Sequence, residues 1–158
     1  MRKVIYFGPF FLVLLTLDIA LKAYVARFLD YPLMIARLPW GINFSLERVL
    51  NEGAMWGIFS GYSSFLLAFR CLVAITLIVI LMRFTKSKLS AFLLTILIAG
   101  AVGNIIDSFV YGHVVDMLHF TFSGYSYGVF NLADAYISIG CLGLILLGFS
   151  KKESAQKV

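Results

Sequence analysis

Four stretches of the chain stay apolar for about twenty residues each, the length that crosses the hydrocarbon core of a bilayer. They run at about 4–25, 64–83, 89–110 and 129–149. The polar residues inside them recur at helical spacing. Asp18 and Lys22 are four apart, Asn104 and Asp107 three apart, and Asn131, Asp134 and Ser138 follow at three and four. Residues so spaced share one face of a helix. The pattern therefore predicts an integral membrane, mainly α protein: four transmembrane helices, several carrying a polar stripe.

The segment 26–63 is too polar to span. In "INFSLERV" (42–49) apolar and polar residues alternate from Ile42 through Phe44 to Leu46, which predicts a short strand. "NEGAMWGIFSGYSS" (51–64) is punctuated by Gly53, Gly57 and Gly61, which predicts turns. The expectation is a small β-rich extracytoplasmic platform at about 26–63, with Trp40, Trp56 and Tyr62 at headgroup level. The whole chain reads as one membrane domain, with a disordered tail at about 151–158.

Composition sharpens this picture. Apolar residues make up 61% of the 158 positions and charged ones 13%, whereas soluble domains run at about 45–50% and 25%. The net charge of +5 is carried mainly at segment ends. No basic patch with interleaved aromatics appears, so nucleic acid is not an expected partner and membrane lipid is. Arg2 and Lys3, then Arg83, Lys86 and Lys88, then Lys151, Lys152 and Lys157 fall on one side of the four spans. Arg27, Arg37 and Arg48 are spread over the longer segment opposite. The bias places both termini in the cytoplasm. The first span begins like a secretory signal, but its core is long and carries Asp18 and Lys22, so it reads as a permanent span. Cys71 and Cys141 both lie in apolar segments and give no disulfide framework.

On this topology Asp18, Lys22, Asn104, Asp107, Asp116, Asn131 and Asp134 all fall near the outer leaflet boundary, although they come from different segments. Ionisable groups at membrane depth are costly and mark functional positions. Structural roles compete: Asp18–Lys22 as an intrahelical ion pair, Asn104 and Asn131 as interhelical hydrogen-bond partners, Asp107 as a helix-end partner. Arg70 either snorkels or pairs with a carboxylate. His113 and His119, six apart, lack a metal-ligand spacing and read as surface residues. With no Ser–His–Asp order and no HExxH present, paired carboxylates are the catalytic groups available. Two that share a site do not both ionise easily, so the pair holds one proton. Such a pair suits aspartic-type peptide hydrolysis. Two other classes stay open: a proton- or cation-coupled transporter, whose relay would reach the cytoplasmic half, and a binding or assembly factor, which would tolerate Asp→Asn at both 116 and 134.

Asp18-x-x-x-Lys22, "NEGAMWG" (51–57), "GNIIDSFVYGHVVDML" (103–118) and "FNLADAYISIG" (130–140), in that order and on those spans, resemble the bacterial lipoprotein signal peptidases (signal peptidase II). The resemblance covers nearly the whole chain. It implies Asp116 and Asp134 as the catalytic pair, supported by Asp18, Lys22, Asn51, Gly53, Asn104, Asp107 and Asn131. It also implies a prolipoprotein substrate cut before its diacylglyceryl cysteine, no metal or cofactor, and a bacterial source; with the topology above, the expectation is a monomer in the bacterial cytoplasmic (inner) membrane with the site near the outer leaflet. A platform bearing Trp56 would cover the substrate, with Gly53 and Gly57 letting it move as a lid. The chain departs from the family's usual pattern at Ser108, where an arginine is usual, at Ile19 in place of a glutamine, and at Met55 and Trp56 in place of a small residue and Phe.

Overall fold

The computed structural model describes the backbone of residues 2–52 and 62–156, and the side chains of 7–52 and 62–149. Four long helices and two pairs of strands follow in the order α1 (Arg2–Phe28), β1 (Leu33–Leu38), β2 (Ile42–Asn51), α2 (Ser63–Val79, continued by a wide turn at Ile80–Phe84), α3 (Lys88–Val110), β3 (Val114–Phe122), β4 (Tyr125–Ser126) and α4 (Leu132–Gln156). All four helices contain a stretch long and apolar enough to cross a membrane. Gly53, Met55, Trp56, Gly57 and Gly61, and with them the expected glycine turns and lid, lie outside the described residues.

α3 is the hub. Its residues from Leu93 to Gly100 are all buried, whereas α1, α2 and α4 keep much of their apolar surface outward, as lipid-facing helices do. The small residues of "AGAVG" (99–103) explain how α3 and α4 come so close. A Cβ on Gly100 would overlap the backbone carbonyl oxygen of Ala133, and one on Gly103 would overlap the Asp18 carboxylate. Backbone cannot give way as a flexible side chain does. Gly100→Ala is therefore expected to force the helices apart at a cost of about 1–3 kcal/mol, read as a lowered melting temperature in detergent. Gly148→Ala, where a Cβ meets nothing, is expected to leave it unchanged.

The sheet is larger than the sequence suggests. Its strands run in the order β1-β2-β3-β4, all antiparallel, so the platform is not built from 26–63 alone. Half of its strands come from the connection between α3 and α4. "VVDMLHFTF" (114–122) is rich in β-branched and aromatic residues that suit a pleated surface, and a hairpin at Ser123–Gly124, both with positive φ, returns the chain as β4. Val115 and Met117 pack on Val25 and Leu29 at the end of α1. Side chains alternate along a strand, so Val114 and Asp116 face the opposite way.

A bulge in β2 then sets the register. Leu46 pairs with Leu118 but Val49 pairs with Asp116, so β2 carries one extra residue between them. Beyond the bulge Asn51 pairs with Val114 and shares its face. Without the extra residue Asn51 would fall opposite His113 and point away, because a one-residue slip exchanges the faces of a strand.

Both ends of α4 differ from expectation. The helix starts at Leu132 rather than 129, because Phe130 is committed to the sheet: Met117 and Leu118 N–H donate to its carbonyl at 3.0 and 2.7 Å, and its own N–H donates to Leu118 O at 3.0 Å. At the other end α4 continues through Gln156, past the expected start of the tail at 151. Lys, Glu, Ala and Gln are good helix formers, and extending an existing helix adds a hydrogen bond per residue without a new nucleus.

His119, expected as a surface residue, lies in β3 and is half-buried. Its Nδ1 lies 2.5 Å from Glu47 Oε1 and its Nε2 lies 2.7 Å from Ser126 Oγ. It thus ties β2, β3 and β4 together.

Candidate active site

Two polar clusters meet where the sheet rests on the helix ends. The inner one centres on Lys22, which is fully buried. Its ammonium group contacts Asp18 Oδ2 at 2.8 Å, Asp107 Oδ2 at 2.9 Å and Asn104 Oδ1 at 3.0 Å. The expected i,i+4 pair is therefore one limb of a three-partner knot joining α1 to α3. Both carboxylates also accept from backbone N–H groups. Asp18 Oδ1 accepts from Ala133 N–H at 2.9 Å, and Asp107 Oδ2 accepts from Val115 N–H at 3.1 Å. The knot therefore grips the first turn of α4 and the start of β3.

The outer cluster holds the two carboxylates of interest. Asn131 sits just before α4 and acts as its cap. Its Oδ1 accepts from Asp134 N–H at 2.8 Å, and Asp134 Oδ2 accepts from Asn131 N–H at 3.3 Å. This is a reciprocal capping box, with Asp134 in the first turn, where the helix dipole favours negative charge. Asp134 is the third residue of the helix, about 3 Å from its start at 1.5 Å per residue, rather than the about 8 Å implied by a start at 129. Its Oδ1 accepts from Asn104 Nδ2 at 2.8 Å, so Asn104 links the Lys22 knot to Asp134.

Asp116, on β3, is held by two amides. Asn131 Nδ2 donates to its Oδ1 at 2.7 Å, and Asn51 Nδ2 donates to its Oδ2 at 2.9 Å. Asn131 therefore touches both carboxylates, one through its amide nitrogen and the other through its oxygen and backbone. Asp116 is 3% exposed and belongs to the platform, not to a spanning helix. Burial, helped by the charge of Asp134, pushes its carboxyl up to about 6 against the restraining hydrogen bonds of Asn51 and Asn131.

Both carboxylates open into one cavity of about 470 Å³. Asn51, Asn104 and Arg70 line its polar side, and Phe130, Ile137 and Ile139 belong to its apolar wall. Of the residues singled out from the sequence, Asp18, Lys22, Asn51, Asn104, Asp107, Asp116, Asn131 and Asp134 are brought together here, while Gly53 lies outside the described residues. Among the described residues no three His, Cys, Asp or Glu side chains form a metal-binding cluster; the cation beside Asp18 and Asp107 is Lys22. Two features escaped the sequence reading. One is the capping role of Asn131, although its Asn-x-x-Asp spacing signals a cap. The other is the contact of Arg70 Nη1 with Ser108 Oγ at 3.0 Å, between α2 and α3, for which no local pattern exists.

The backbone that carries this cavity is similar to that of solved bacterial membrane enzymes. One solved structure of such an enzyme superposes with a TM-score of 0.82 at 25% identity, covering 94% of this chain and 90% of that one. A second superposes at 0.77, also at 25% identity, covering 90% and 91%. A family model described as signal peptidase (SPase) II matches residues 10–150. The lipoprotein signal peptidase of Chlamydia pneumoniae is 38% identical over 121 residues, 75% of this chain and 72% of that protein. That of Chlamydia trachomatis serovar D is 42% identical over 120 residues, 74% and 72%, and that of Clostridium acetobutylicum 39% over 115 residues, 70% and 75%. The chain belongs to the signal peptidase II family, and is thereby a multi-pass membrane protease.

Proposed function

We propose that this protein removes signal peptides from diacylglyceryl-modified prolipoproteins by aspartic-type hydrolysis, with Asp116 and Asp134 as the catalytic pair. The observation that carries the reading is the convergence of these two carboxylates on one cavity at the helix–sheet junction, each held by donors from other segments. In the proposed reaction a water lies between the carboxyl groups and the scissile carbonyl. The ionised carboxylate takes a proton from the water as its oxygen attacks the carbonyl carbon, and the protonated one gives its proton to the carbonyl oxygen. As the resulting diol collapses, the carboxyl that took the water's proton gives it to the nitrogen and the other carboxylate takes a proton from a diol hydroxyl, so the C–N bond breaks and the nitrogen leaves as the α-amine of the lipidated cysteine. The signal peptide departs as a carboxylic acid. The apolar wall suits a signal helix. The Lys and Arg bias puts both ends of the chain in the cytoplasm and this site at the outer leaflet of the inner membrane. The protein acts as a monomer in this reading.

The raised carboxyl of Asp116, at about 6, sets the sign of the pH dependence. Below that value Asp116 holds a proton. Above it the pair loses the proton that polarises the carbonyl, so kcat/KM is expected to fall as pH rises through about 6. Asn51 stabilises the ionised form of Asp116, so Asn51→Ala is expected to move that inflection upward by about half to one pH unit. A pH profile of the variant that inflects at or below the wild-type position would contradict this electrostatic assignment.

The substrate assignment is tested with one prolipoprotein in two forms, with and without the diacylglyceryl group, in nanodiscs. Mass spectrometry is expected to find the lipidated form cut immediately before its cysteine and the unmodified form uncut. Equal cutting of both forms, or a cut elsewhere, would sink the assignment.

A further inference from the structure

Arg70 lies in the eighth position of α2, at a depth where a cation is costly. Its Nη1 donates to Ser108 Oγ at 3.0 Å, and that hydroxyl donates to the Asn104 carbonyl at 2.9 Å. Its charge interacts with Asp134, then Asp116, then Asp107, and it forms part of the wall of the cavity into which Asp116 and Asp134 open. It also lines a second cavity of about 200 Å³, with Ser63, Ser64, Ser108 and His113. Arg70 and Asn51 are the residues common to the two cavities. The first has a largely apolar wall and the second a polar one.

In the peptidase reading, the apolar signal helix lies in the first cavity, and the shared boundary at Arg70 and Asn51 leads the segment after the cut over the second. An extended backbone there has left its helix, and each carbonyl without a donor at membrane depth costs several kcal/mol. Arginine presents five N–H donors in a fixed fork and no acceptor, which matches that need.

We propose that Arg70 is a substrate-binding residue of this site, whose guanidinium donates to the backbone carbonyl of the lipidated cysteine on the polar-cavity side of the scissile bond. The proposal rests on the peptidase reading above. Ser108 steers the fork by accepting one N–H, and Asn51, at the same boundary, holds Asp116 beside it.

The test is steady-state kinetics with two substrates: the diacylglyceryl prolipoprotein peptide, and the same peptide with an (E)-alkene in place of the peptide bond that follows the cysteine. The alkene keeps the shape and removes the carbonyl. Arg70→Gln is expected to raise KM about tenfold with kcat changed less than about twofold, and Arg70→Lys to recover part of the loss. The alkene is expected to raise KM of the wild type by a similar factor and to add nothing in Arg70→Gln, because both remove the same bond. An unchanged KM in Arg70→Gln, or losses that multiply, would overturn the proposal. Should Arg70→Gln fail to fold, the wild type and Arg70→Lys complete the comparison, and multiplying losses there overturn it equally. Failure of the wild type to cut the ordinary peptide would instead bring down the peptidase reading, whereas normal cutting with an unmoved KM removes only the role of Arg70.

Discussion

Replacing Lys22 with methionine is expected to destabilise the fold by about 3–5 kcal/mol, a large part of the 5–15 kcal/mol by which domains are usually stable. Methionine fits the volume of the lysine stem, so packing is not the issue. The loss is electrostatic: Asp18 and Asp107, both about 1% exposed, would face each other without the cation that now sits 2.8 and 2.9 Å from them, and Asn104 Oδ1 would lose its donor. The damage would spread, because Asp18 grips the first turn of α4 through Ala133 N–H and Asp107 grips β3 through Val115 N–H. The checks are the yield of monodisperse protein in detergent and its melting temperature. Neutralising both carboxylates in the same background (Lys22→Met with Asp18→Asn and Asp107→Asn) is expected to restore part of the loss. A Lys22→Met protein as stable as wild type would show that the knot does not organise this junction.

The second large effect is on turnover rather than folding. Asp134→Asn is expected to cut kcat by about three to four orders of magnitude, at the upper end of what general acid–base groups contribute. The fold should survive. Asparagine keeps one oxygen for one of the two donors, Asn104 Nδ2 or Asn131 N–H, that Asp134 now satisfies. The lost cap contact costs about 1 kcal/mol. The diagnostic pattern is a collapse of kcat with KM and melting temperature little changed. A variant that retains more than about a tenth of wild-type turnover would remove Asp134 from the chemistry.

The parts of this structure that were legible from the sequence are those with a local signature. Hydropathy over about twenty residues marks the four spans, and spacings of three and four put Asp18 with Lys22 and Asn104 with Asp107. What stayed hidden depends on pairing between distant segments. β3 is a nine-residue, mostly apolar segment next to a span, and its pairing with a partner 65 residues away in the Asn51–Asp116 contact sets it as a strand of this sheet. The bulge that turns Asn51 toward Asp116 is likewise a property of two strands together. The start of α4 was misplaced because hydropathy does not see that Phe130 already serves the sheet. Ser108 illustrates the same limit: its departure from the family's usual arginine is visible in the sequence, but the approach of Arg70 from another helix is not.

The central claim is that Asp116 and Asp134 act as one catalytic unit. The most direct measurement is the cleavage rate of a diacylglyceryl prolipoprotein by wild type, Asp116→Asn, Asp134→Asn and the double variant, all in the same nanodisc preparation. Groups that act as a unit show strongly non-additive losses. The account predicts that each single variant, folded like wild type, is reduced to the same residual rate and that the double variant is no slower. Losses that multiply in the double variant, or a folded single variant that still cuts before the cysteine at the wild-type rate, would contradict it.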